Sequence, residues 1–304
     1  MLEAIHKKQI SDLIEGDILF DEPLKNHTSF KIGGPAELLV IPKHDKDLEK
    51  LIKYLYQNKI NYYLIGNGSN LLISDEGLSD VVIKLPQKNV KLEFVGNRLI
   101  ASAGLSLPLL STRATKRGLS GLEFAMGLPA TLGGAIVMNA GIGDLRSIGD
   151  LLVKVKTLST TGEVKIYNSK ELDFSYRSSP FQNSKEIILE AELELVAKDS
   201  QEIITEGQQL LSKRKRSQPL KWPNAGCIFK NPPNESAGRL IDQSGGKGLR
   251  VGDAQISTQH ANFIINLGSA TAEEVLELIG KVENLVLNKF GISLKREIIF
   301  LSSK

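Results

Sequence analysis

The sequence predicts an α+β protein of three units, and three patterns along its 304 residues carry that prediction. Strand-like and helical apolar patterns alternate between residues 37 and 65, whereas short strands and turns dominate from residue 90. The stretch 262–301 then has strands of its own around a strongly amphipathic helix. A chain of this length exceeds the usual size of one domain, so each unit can bury a core.

The first unit is expected over residues 1–85. Residues 37–41 have the apolar, β-rich composition of a strand. Helical periodicity follows over residues 45–58, with one apolar face formed by Leu48, Leu51, Ile52 and Leu55. Further strands of the same sheet are predicted at residues 62–65, 71–74 and 81–85.

The second unit, residues 86–200, is expected to be an α+β unit with mainly antiparallel strands. Hairpin patterns cover residues 90–101 and 152–167, and a short helix is predicted between them over residues 107–117. Residues 186–196 are rich in strand-forming side chains and predict a long strand that completes the unit.

The third unit, residues 201–304, is introduced by an amphipathic helix over residues 200–217. Thr271 and Glu274 form a capping box, which marks the start of a second helix. The apolar stripe of that helix, expected to be core, consists of Val275, Leu278, Ile279, Val282, Leu285 and Val286. Strands are expected on either side of it, at residues 262–267 and 293–301.

Composition excludes several classes of function. Hydrophobic residues make up 41% and charged residues 24%, which is ordinary for a soluble globular protein. No apolar run approaches the roughly 20 residues of a membrane span, and no secretory segment is evident, so a cytoplasmic protein is expected. The single cysteine excludes an internal disulfide, and four scattered histidines predict no metal site. A net charge of +3 gives no argument for nucleic-acid binding.

The first candidate for chemistry is a polar turn between two apolar runs, formed by Gly66, Asn67, Gly68, Ser69, Asn70 and Leu71. Glycines permit backbone angles closed to other residues, so successive N–H groups can converge on a phosphate. The turn fits neither a P-loop, which needs a lysine, nor the dinucleotide fingerprint, which ends on glycine. A plain hairpin turn of the Asn-Gly type is the alternative.

A second glycine-rich stretch, residues 121–141, is apolar, almost uncharged and dense in backbone donors. Pro129 within it suits the first turn of a helix. We expect the two stretches together to bind one extended ligand from opposite sides.

Ionisable groups interrupt structural sequence at Arg177, Cys227 and Glu297, and each has a structural alternative. Arg177 is either a functional cation or the cap of a helix. Cys227 follows a flexible Asn-Ala-Gly, yet a lone cysteine often serves as a small buried hydrophobe. Glu297 is either an acid or a solvated carboxylate on a strand. No histidine lies near Cys227 in the sequence, so a Cys/His nucleophile is not supported.

A basic run at residues 213–216 closes the helix that begins the third unit. Cations at the carboxyl end of a helix are favoured by its macrodipole, which is the structural interpretation. A contact with a small anionic substrate is the functional one.

Six motifs lie in order along the chain, at residues 26–36, 66–70, 127–135, 175–177, 223–232 and 252–257. They closely resemble those of the UDP-N-acetylenolpyruvoylglucosamine reductases, flavoenzymes that make UDP-N-acetylmuramate for the bacterial cell wall. The set spans nearly the whole chain, which makes it far more specific than any single motif. Only a strand and a helix are expected between Arg177 and Cys227, so the chain resembles the branch of the family without an extra tyrosine-bearing loop.

The resemblance implies FAD in a two-subdomain fold of the vanillyl-alcohol-oxidase type, followed by a carboxyl-terminal α+β substrate domain. It also implies NADPH as hydride donor and UDP-N-acetylglucosamine enolpyruvate as substrate. No histidine lies in either glycine-rich stretch, so noncovalent FAD is expected. A monomer that binds neither nucleic acid nor membrane is the default expectation.

The resemblance further implies a role for each candidate residue. Residues 66–71 cradle the pyrophosphate, and the flavin ring and ribityl chain are lined by Gly127, Pro129, Thr131, Gly133, Gly134, Ala135, Asn139 and Gly141. Arg177 stabilises a developing enolate, Cys227 donates a proton where many relatives carry serine, and Glu297 assists. The residues that the resemblance implies as substrate contacts are Tyr176, Arg214, Lys215, Asn231 and Gln255.

Two other functions compete with this interpretation. A different oxidase or dehydrogenase on the same flavin fold would lack the carboxyl-terminal motifs that contain Cys227, Asn231 and Glu297. A nucleotide-sugar binding module without catalysis would purify colourless and take up no FAD.

Overall fold

The computed structural model of the chain describes residues 2–88, 90–142 and 146–303. The chain forms two compact units. Unit 1 comprises Met1–Phe20, Leu38–Asn67 and Asp80–Ser212, and unit 2 comprises Asp21–Glu37, Gly68–Ser79 and Lys213–Lys304. Among the described residues, no helix has both the length and the apolar character needed to cross a membrane.

The described ranges contain both helices and strands. The α-helices there are α1 (Ala4–Leu13), α2 (Asp45–Gln57), α3 (Leu107–Thr115), α4 (Leu132–Met138), α5 (Ser200–Ser217), α6 (Ala237–Gln243) and α7 (Ala272–Phe290). The strands of the first half are β1 (Asp17–Pro23), β2 (Pro35–Ile41), β3 (Tyr62–Ile65), β4 (Leu71–Ile73), β5 (Leu78–Lys84), β6 (Leu92–Val95), β7 (Arg98–Ser102), β8 (Leu119–Ser120), β9 (Gly141–Ile142) and β10 (Arg146–Ser147). Those of the second half are β11 (Leu152–Leu158), β12 (Val164–Asn168), β13 (Ile187–Glu194), β14 (Val196–Ala197), β15 (Arg250–Val251), β16 (Ala254–Ile256), β17 (Ile264–Asn266) and β18 (Ile299–Leu301).

The first sheet has the strand order β1-β2-β5-β3, with β3 and β5 parallel. The predicted helix α2 is confirmed, and its apolar face is buried together with residues of β2, β5 and α1, namely Ile10, Leu38, Leu51, Leu55, Val81 and Ile83. The prediction that residues 71–74 extend this sheet is wrong. Those residues form β4, which pairs in parallel with β18, because a strand's partner is chosen by the fold rather than by its own sequence.

The second sheet is antiparallel, with the order β12-β11-β13-β7-β6. Both predicted hairpins and the long strand β13 are confirmed. Helices α3 and α4 share its buried cluster, which includes Leu99, Leu110, Leu132, Ile136, Val155 and Leu193. This cluster is the main core of unit 1.

Helix α4 begins later in the second glycine-rich stretch than the sequence suggested. Pro129 precedes the helix and is exposed, whereas the Thr131 hydroxyl caps it by accepting from the Gly134 N–H at 3.2 Å. A side-chain acceptor at the first turn therefore fixes the start of the helix, rather than the fixed φ of proline. Asn139 ends the helix in the left-handed conformation, with φ of 44°.

The core of unit 2 is built on α7 and the antiparallel sheet β15-β16-β17. The capping box is confirmed, since Thr271 Oγ1 accepts from the Glu274 N–H and Glu274 Oε2 accepts from the Thr271 N–H. The stripe on α7 is buried as predicted except at Leu285, which is half-buried. The predicted strand 293–301 is shorter than expected, because only its last three residues pair as β18.

Candidate active site

The two glycine-rich stretches approach each other within unit 1, at Gly66 and Thr131. A Cβ atom added to Gly66 would lie 2.6 Å from Thr131 Oγ1, which is closer than real Cβ contacts allow. Gly133 is similarly tight, because a Cβ there would lie 3.0 Å from the Ala103 Cβ. Glycine therefore allows the turn to pack directly against Thr131, and the start of α4 to pack directly against Ala103.

The rest of the turn is held by its neighbours. In unit 1 the Asn67 Oδ1 atom accepts from Gln87 Nε2 at 2.7 Å. In unit 2 Gly68 adopts φ of 61°, and a Cβ on it would overlap the carbonyl oxygen of His27. The Ser29 N–H donates to the Gly68 carbonyl at 3.3 Å. The loop is therefore shaped by glycine-specific backbone geometry and not only by an Asn-Gly turn.

Asn70 ties the end of this turn to the segment that contains Glu297, within unit 2. Its Nδ2 atom donates to the Glu297 carbonyl at 3.0 Å, and its own carbonyl accepts from the Ile299 N–H at 3.0 Å. Leu71 then begins β4, opposite Ile299 in β18. Asn70, which is expected to hold pyrophosphate, is thus hydrogen-bonded to the backbone of Glu297, which is expected to act as an acid.

Arg177 lies in a tight turn of unit 1, between Ser175 and Ser178, whose backbones bond to each other at 3.0 and 3.2 Å. It adopts φ of 51°, a left-handed conformation that costs a non-glycine residue roughly 1 kcal/mol or more. Its Nη2 atom donates to the Gly141 carbonyl at 3.0 Å, and its Nη1 atom to the Asn139 carbonyl at 3.4 Å. The guanidinium therefore also contacts the end of α4, as the helix-cap alternative expected.

Two further candidates surround this turn. Asn139 is buried, accepts from the Gly149 N–H at 3.1 Å and donates to the Ser175 carbonyl at 2.8 Å, so it joins α4 to the Arg177 turn. The Tyr176 ring is 38% exposed, and the Arg177 guanidinium lies 5.3 Å from its centroid. The Arg177 guanidinium is thus held between two backbone carbonyls and the ring of Tyr176.

Cys227 and Glu297 lie on adjacent backbone segments of unit 2. The Ile228 carbonyl accepts from the Glu297 N–H at 2.8 Å, and Phe229 forms an antiparallel bridge with Arg296. Cys227 is half-buried, whereas the alternative expected a small buried hydrophobe. Glu297 is half-buried as well and precedes β18 instead of lying in it.

The Arg214 side chain carries the clearest signal for an anion in unit 2. Its Nη1 atom is buried and has no hydrogen-bond partner within the described ranges, while its Nε atom donates to Gln218 Oε1 at 3.1 Å. Burial lowers the pKa of Arg214 from its ordinary value, and the electrostatic influence of Cys227 acts in the opposite direction. A buried guanidinium N–H without an acceptor is costly unless a ligand supplies one.

The remaining substrate candidates are also in unit 2. Lys215 is exposed on α5, and its carbonyl accepts from Gln259 Nε2 at 3.3 Å. Asn231 is exposed and accepts from the Ala237 N–H at 3.1 Å, whereas Gln255 donates to the Gly248 carbonyl at 3.3 Å. Arg177 belongs to unit 1, and Cys227 to unit 2.

Two buried polar residues near the candidates were not predicted. Glu123 is buried, accepts from the Gly121 N–H at 3.0 Å and pairs with Arg146 at 3.0 Å. The sequence could have indicated it, because it is a lone carboxylate in an almost uncharged stretch. Asn262 is 3% exposed and bonds to the backbone of Phe229. The sequence could have indicated Asn262, because it is an amide at the start of an apolar strand.

One cluster of metal-ligand residues occurs among the described residues, formed by Glu15, His44 and Asp47. The His44 Nδ1 atom accepts from the Asp47 N–H at 3.1 Å, and Glu15 pairs with Lys43 at 3.1 Å. These side chains already serve as a helix cap and an ion pair.

Comparisons with known proteins agree over the whole chain. Residues 36–167 match the family model of the FAD binding domain, and residues 218–301 match that of the UDP-N-acetylenolpyruvoylglucosamine reductase, C-terminal domain. UDP-N-acetylenolpyruvoylglucosamine reductase of Alkaliphilus oremlandii is 44% identical, covering 96% of each chain. That of Caldanaerobacter subterraneus subsp. tengcongensis is 43% identical over 100% of each.

Solved structures give the same result. UDP-N-acetylenolpyruvylglucosamine reductase from Thermus caldophilus has a TM-score of 0.81 at 38% identity, covering 95% of this chain and 100% of that one. Alkyldihydroxyacetonephosphate synthase has a TM-score of 0.50 at 18% identity, covering 65% and 41%, and shares the fold alone.

The fold and the glycine-lined loops define a FAD-dependent oxidoreductase, with the two-subdomain flavin fold of the vanillyl-alcohol-oxidase type and a carboxyl-terminal α+β domain. The absence of a Cβ at Gly66 lets the two glycine-rich stretches lie side by side, which fits a dinucleotide held by both. The chain belongs to the UDP-N-acetylenolpyruvoylglucosamine reductase family. FAD is its cofactor, and NADPH is its reductant.

Proposed function

We propose that the chain reduces UDP-N-acetylglucosamine enolpyruvate to UDP-N-acetylmuramate, a step in peptidoglycan precursor synthesis. The observation that carries this proposal is the adjacency of the Cys227 and Glu297 backbones inside the region that matches the family's carboxyl-terminal domain. A thiol and a carboxylate held on neighbouring segments are suited to protonating a carbon.

The reaction adds a hydride to the terminal vinyl carbon and a proton to the α-carbon, so that the carbon–carbon double bond becomes single. Bound FAD supplies hydride transfer from NADPH to this vinyl ether. The protein must therefore stabilise negative charge that develops on the α-carbon and its carboxylate, and then deliver one proton.

We assign charge stabilisation to Arg177. A guanidinium stays protonated at all working pH values and forms paired bonds with a carboxylate. Its position is supported by the carbonyls of Asn139 and Gly141, which hold the cation in one orientation.

We assign proton donation to the Cys227 thiol, with Glu297 orienting or replenishing the proton. A thiol with an ordinary pKa of about 8.5 is mostly protonated at neutral pH, yet it releases its proton far more readily than an alcohol. The half-buried setting of Cys227 gives a substrate access to it.

We assign the nucleotide phosphates to Arg214 and Lys215, and further substrate contacts to Tyr176, Asn231 and Gln255. The buried, unpartnered Nη1 atom of Arg214 supports this, because a diphosphate oxygen would supply its missing acceptor. Residues 201–304 would then act as the substrate region, with residues 1–85 and 86–200 as the two FAD subdomains.

We assign FAD, held noncovalently, to the two glycine-rich stretches. Residues 66–71 would hold the pyrophosphate, and the flavin would be lined by Gly127, Pro129, Thr131, Gly133, Gly134, Ala135, Asn139 and Gly141. A yellow protein that loses its flavin on acid precipitation would support noncovalent attachment.

We also propose that the enzyme is a cytoplasmic monomer that binds neither nucleic acid nor membrane. The net charge of +3 supports the absence of nucleic acid. Light scattering coupled to size exclusion tests the monomer, and a mass of twice 33.3 kDa would contradict it.

An anaerobic titration tests the reaction. NADPH is expected to bleach the flavin, and UDP-N-acetylglucosamine enolpyruvate is expected to restore its yellow absorbance. A flavin that stays bleached after the enolpyruvate is added would exclude the proposed substrate, and a protein that takes up no FAD would exclude the whole class.

Substitutions of Cys227 test its role as proton donor. Cys227→Ala removes the proton donor, so flavin reoxidation by the enolpyruvate is expected to be lost while reduction by NADPH persists. Cys227→Ser keeps a donor and is expected to retain measurable turnover. Stopped-flow absorbance of each half-reaction gives the measurement, and equal loss of both half-reactions in Cys227→Ala would refute the role.

A further inference from the structure

The side chain of Asn262 acts as a backbone partner for the segment that carries Cys227. Its Oδ1 atom accepts from the Phe229 N–H at 3.0 Å, and its Nδ2 atom donates to the Phe229 carbonyl at 2.8 Å. Its own carbonyl accepts from the Ile228 N–H at 2.9 Å. One residue thus satisfies three backbone groups within two positions of the thiol, and both Asn262 and Phe229 are buried.

The opposite side of the same segment bonds to the chain around Glu297. The Ile228 carbonyl accepts from the Glu297 N–H at 2.8 Å, and the Lys230 N–H donates to the Lys295 carbonyl at 2.8 Å. Residues 227–230 are therefore a central strip between Asn262 and residues 295–297. Movement of this strip relative to Asn262 would therefore displace the thiol.

We propose that Asn262 is a positioning residue that fixes Cys227 relative to Glu297 by clamping the Phe229 peptide groups. This inference rests on the proposed function for its catalytic meaning, since Asn262 itself touches neither reacting group. Loss of the clamp leaves a buried N–H and a buried carbonyl of Phe229 unsatisfied, which favours a shift of the strip toward new partners. A shift of about 1 Å can slow a reaction by as much as a hundredfold.

Asn266 provides a matched control in the same unit. It is equally buried, donates to the Phe30 carbonyl at 3.1 Å and accepts from the Gly268 and Ala270 N–H groups at 2.8 and 3.0 Å. Its side chain therefore has the same chemistry and burial but holds a different part of the chain. Substitutions at Asn266 report the general cost of damaging a buried amide.

The experiment compares Asn262→Asp and Asn262→Ala with Asn266→Asp and Asn266→Ala in the FAD-loaded protein. Asn262→Asp keeps the shape and loses the Nδ2 donor, while Asn262→Ala removes both bonds without adding a buried charge. Three quantities are measured: flavin reduction by NADPH, flavin reoxidation by the enolpyruvate, and the pH dependence of iodoacetamide alkylation of Cys227. Cys227 is the only cysteine, so alkylation reports it alone.

Both Asn262 variants are expected to slow reoxidation about tenfold or more, keep reduction by NADPH, and shift the alkylation profile of Cys227. The Asn266 variants are expected to lower the melting temperature without moving that profile. Unchanged reoxidation and alkylation in the Asn262 variants, or equal changes in the Asn266 variants, would overturn the proposal. If the wild-type flavin is not reoxidised by the enolpyruvate, the proposed function fails, and the alkylation profiles alone still decide whether Asn262 sets the environment of Cys227.

Discussion

At Gly66, a single absent methyl group determines whether two loops of unit 1 can approach each other. The nearest atom to a Cβ there is the Thr131 hydroxyl oxygen at 2.6 Å, and the next, Thr131 Cγ2, is at an ordinary 3.5 Å. The clash is therefore with one oxygen atom. Removing that oxygen makes room for the methyl group.

We expect Gly66→Ala to weaken FAD binding, because the loop must move away from Thr131. Adding Thr131→Ala in the same chain is expected to restore part of the affinity, although loss of the helix cap costs about 1 kcal/mol of stability. Flavin content after gel filtration and a fluorescence titration with FAD give the measurement.

Gly280→Ala is the control for this prediction, since a Cβ at that position in α7 meets nothing within 4 Å. It is expected to keep full FAD affinity and to gain about 1 kcal/mol in helix stability. Gly66→Ala binding FAD as tightly as the wild type would contradict the close approach.

His260 makes stability depend on pH. Burial lowers its pKa, and the nearby charge of Lys247 lowers the pKa further, while Nδ1 accepts from the Asn262 N–H at 3.3 Å. The unfolded chain, with a histidine pKa of about 6.5, therefore binds a proton before the folded chain does as pH falls. The stabilisation is complete above about pH 6.5 and is lost below it.

We expect the free energy of unfolding to decrease between about pH 7 and pH 5, and to decrease less in His260→Gln. Urea unfolding at each pH measures it. A slope in His260→Gln equal to that of the wild type would show that other groups cause the dependence.

At the scale of elements, the short parallel pair of β4 and β18 anchors the end of the glycine turn. The Ile299 N–H donates to the Asn70 carbonyl, and the Ser74 N–H donates to the Leu301 carbonyl at 2.9 Å. Successive N–H groups of a strand point to opposite sides, so the Phe300 N–H faces away from β4. Proline is tolerated only where the N–H is not needed for pairing.

We expect Ile299→Pro to remove the bond to Asn70, loosen the turn and reduce FAD affinity. Phe300→Pro is expected to affect affinity much less, because the pairing with β4 keeps its donors. Thermal melts with and without added FAD measure both variants. Equal loss of FAD-dependent stabilisation in the two would argue against a role for this pair.

The elements show which features a sequence can predict. The helices α2, α5 and α7 and the hairpins β6–β7 and β11–β12 were predicted because their periodicity, caps and turns are local signals. The β4–β18 pair was missed because no local pattern specifies a partner more than two hundred positions away. The sequence singled out Arg177 and offered a helix-capping role for it, but it did not specify its partners, the carbonyls of Asn139 and Gly141, for the same reason.

At the scale of the whole molecule, the chain enters unit 2 three times, and the core of that unit depends on all three segments. Phe30, Ile32 and Leu72 are buried in the same cluster as the stripe of α7. Their burial contributes about 6 kcal/mol in total, which is comparable with the stability of an average domain. The Asp75 carboxylate also caps α7, accepting from the Ala272 N–H at 2.9 Å.

We therefore expect a fragment of residues 201–304 to lack fixed tertiary structure, even though it contains every helix and sheet strand of the carboxyl-terminal region. Its amide NMR spectrum is expected to be poorly dispersed, and its thermal transition broad. Co-expression with a fragment of residues 1–200, which supplies Phe30, Ile32 and Leu72, is expected to recover a folded complex. A dispersed spectrum and a cooperative melt from 201–304 alone would show instead that α7 and its sheet carry enough apolar burial to offset the chain entropy without the two earlier segments.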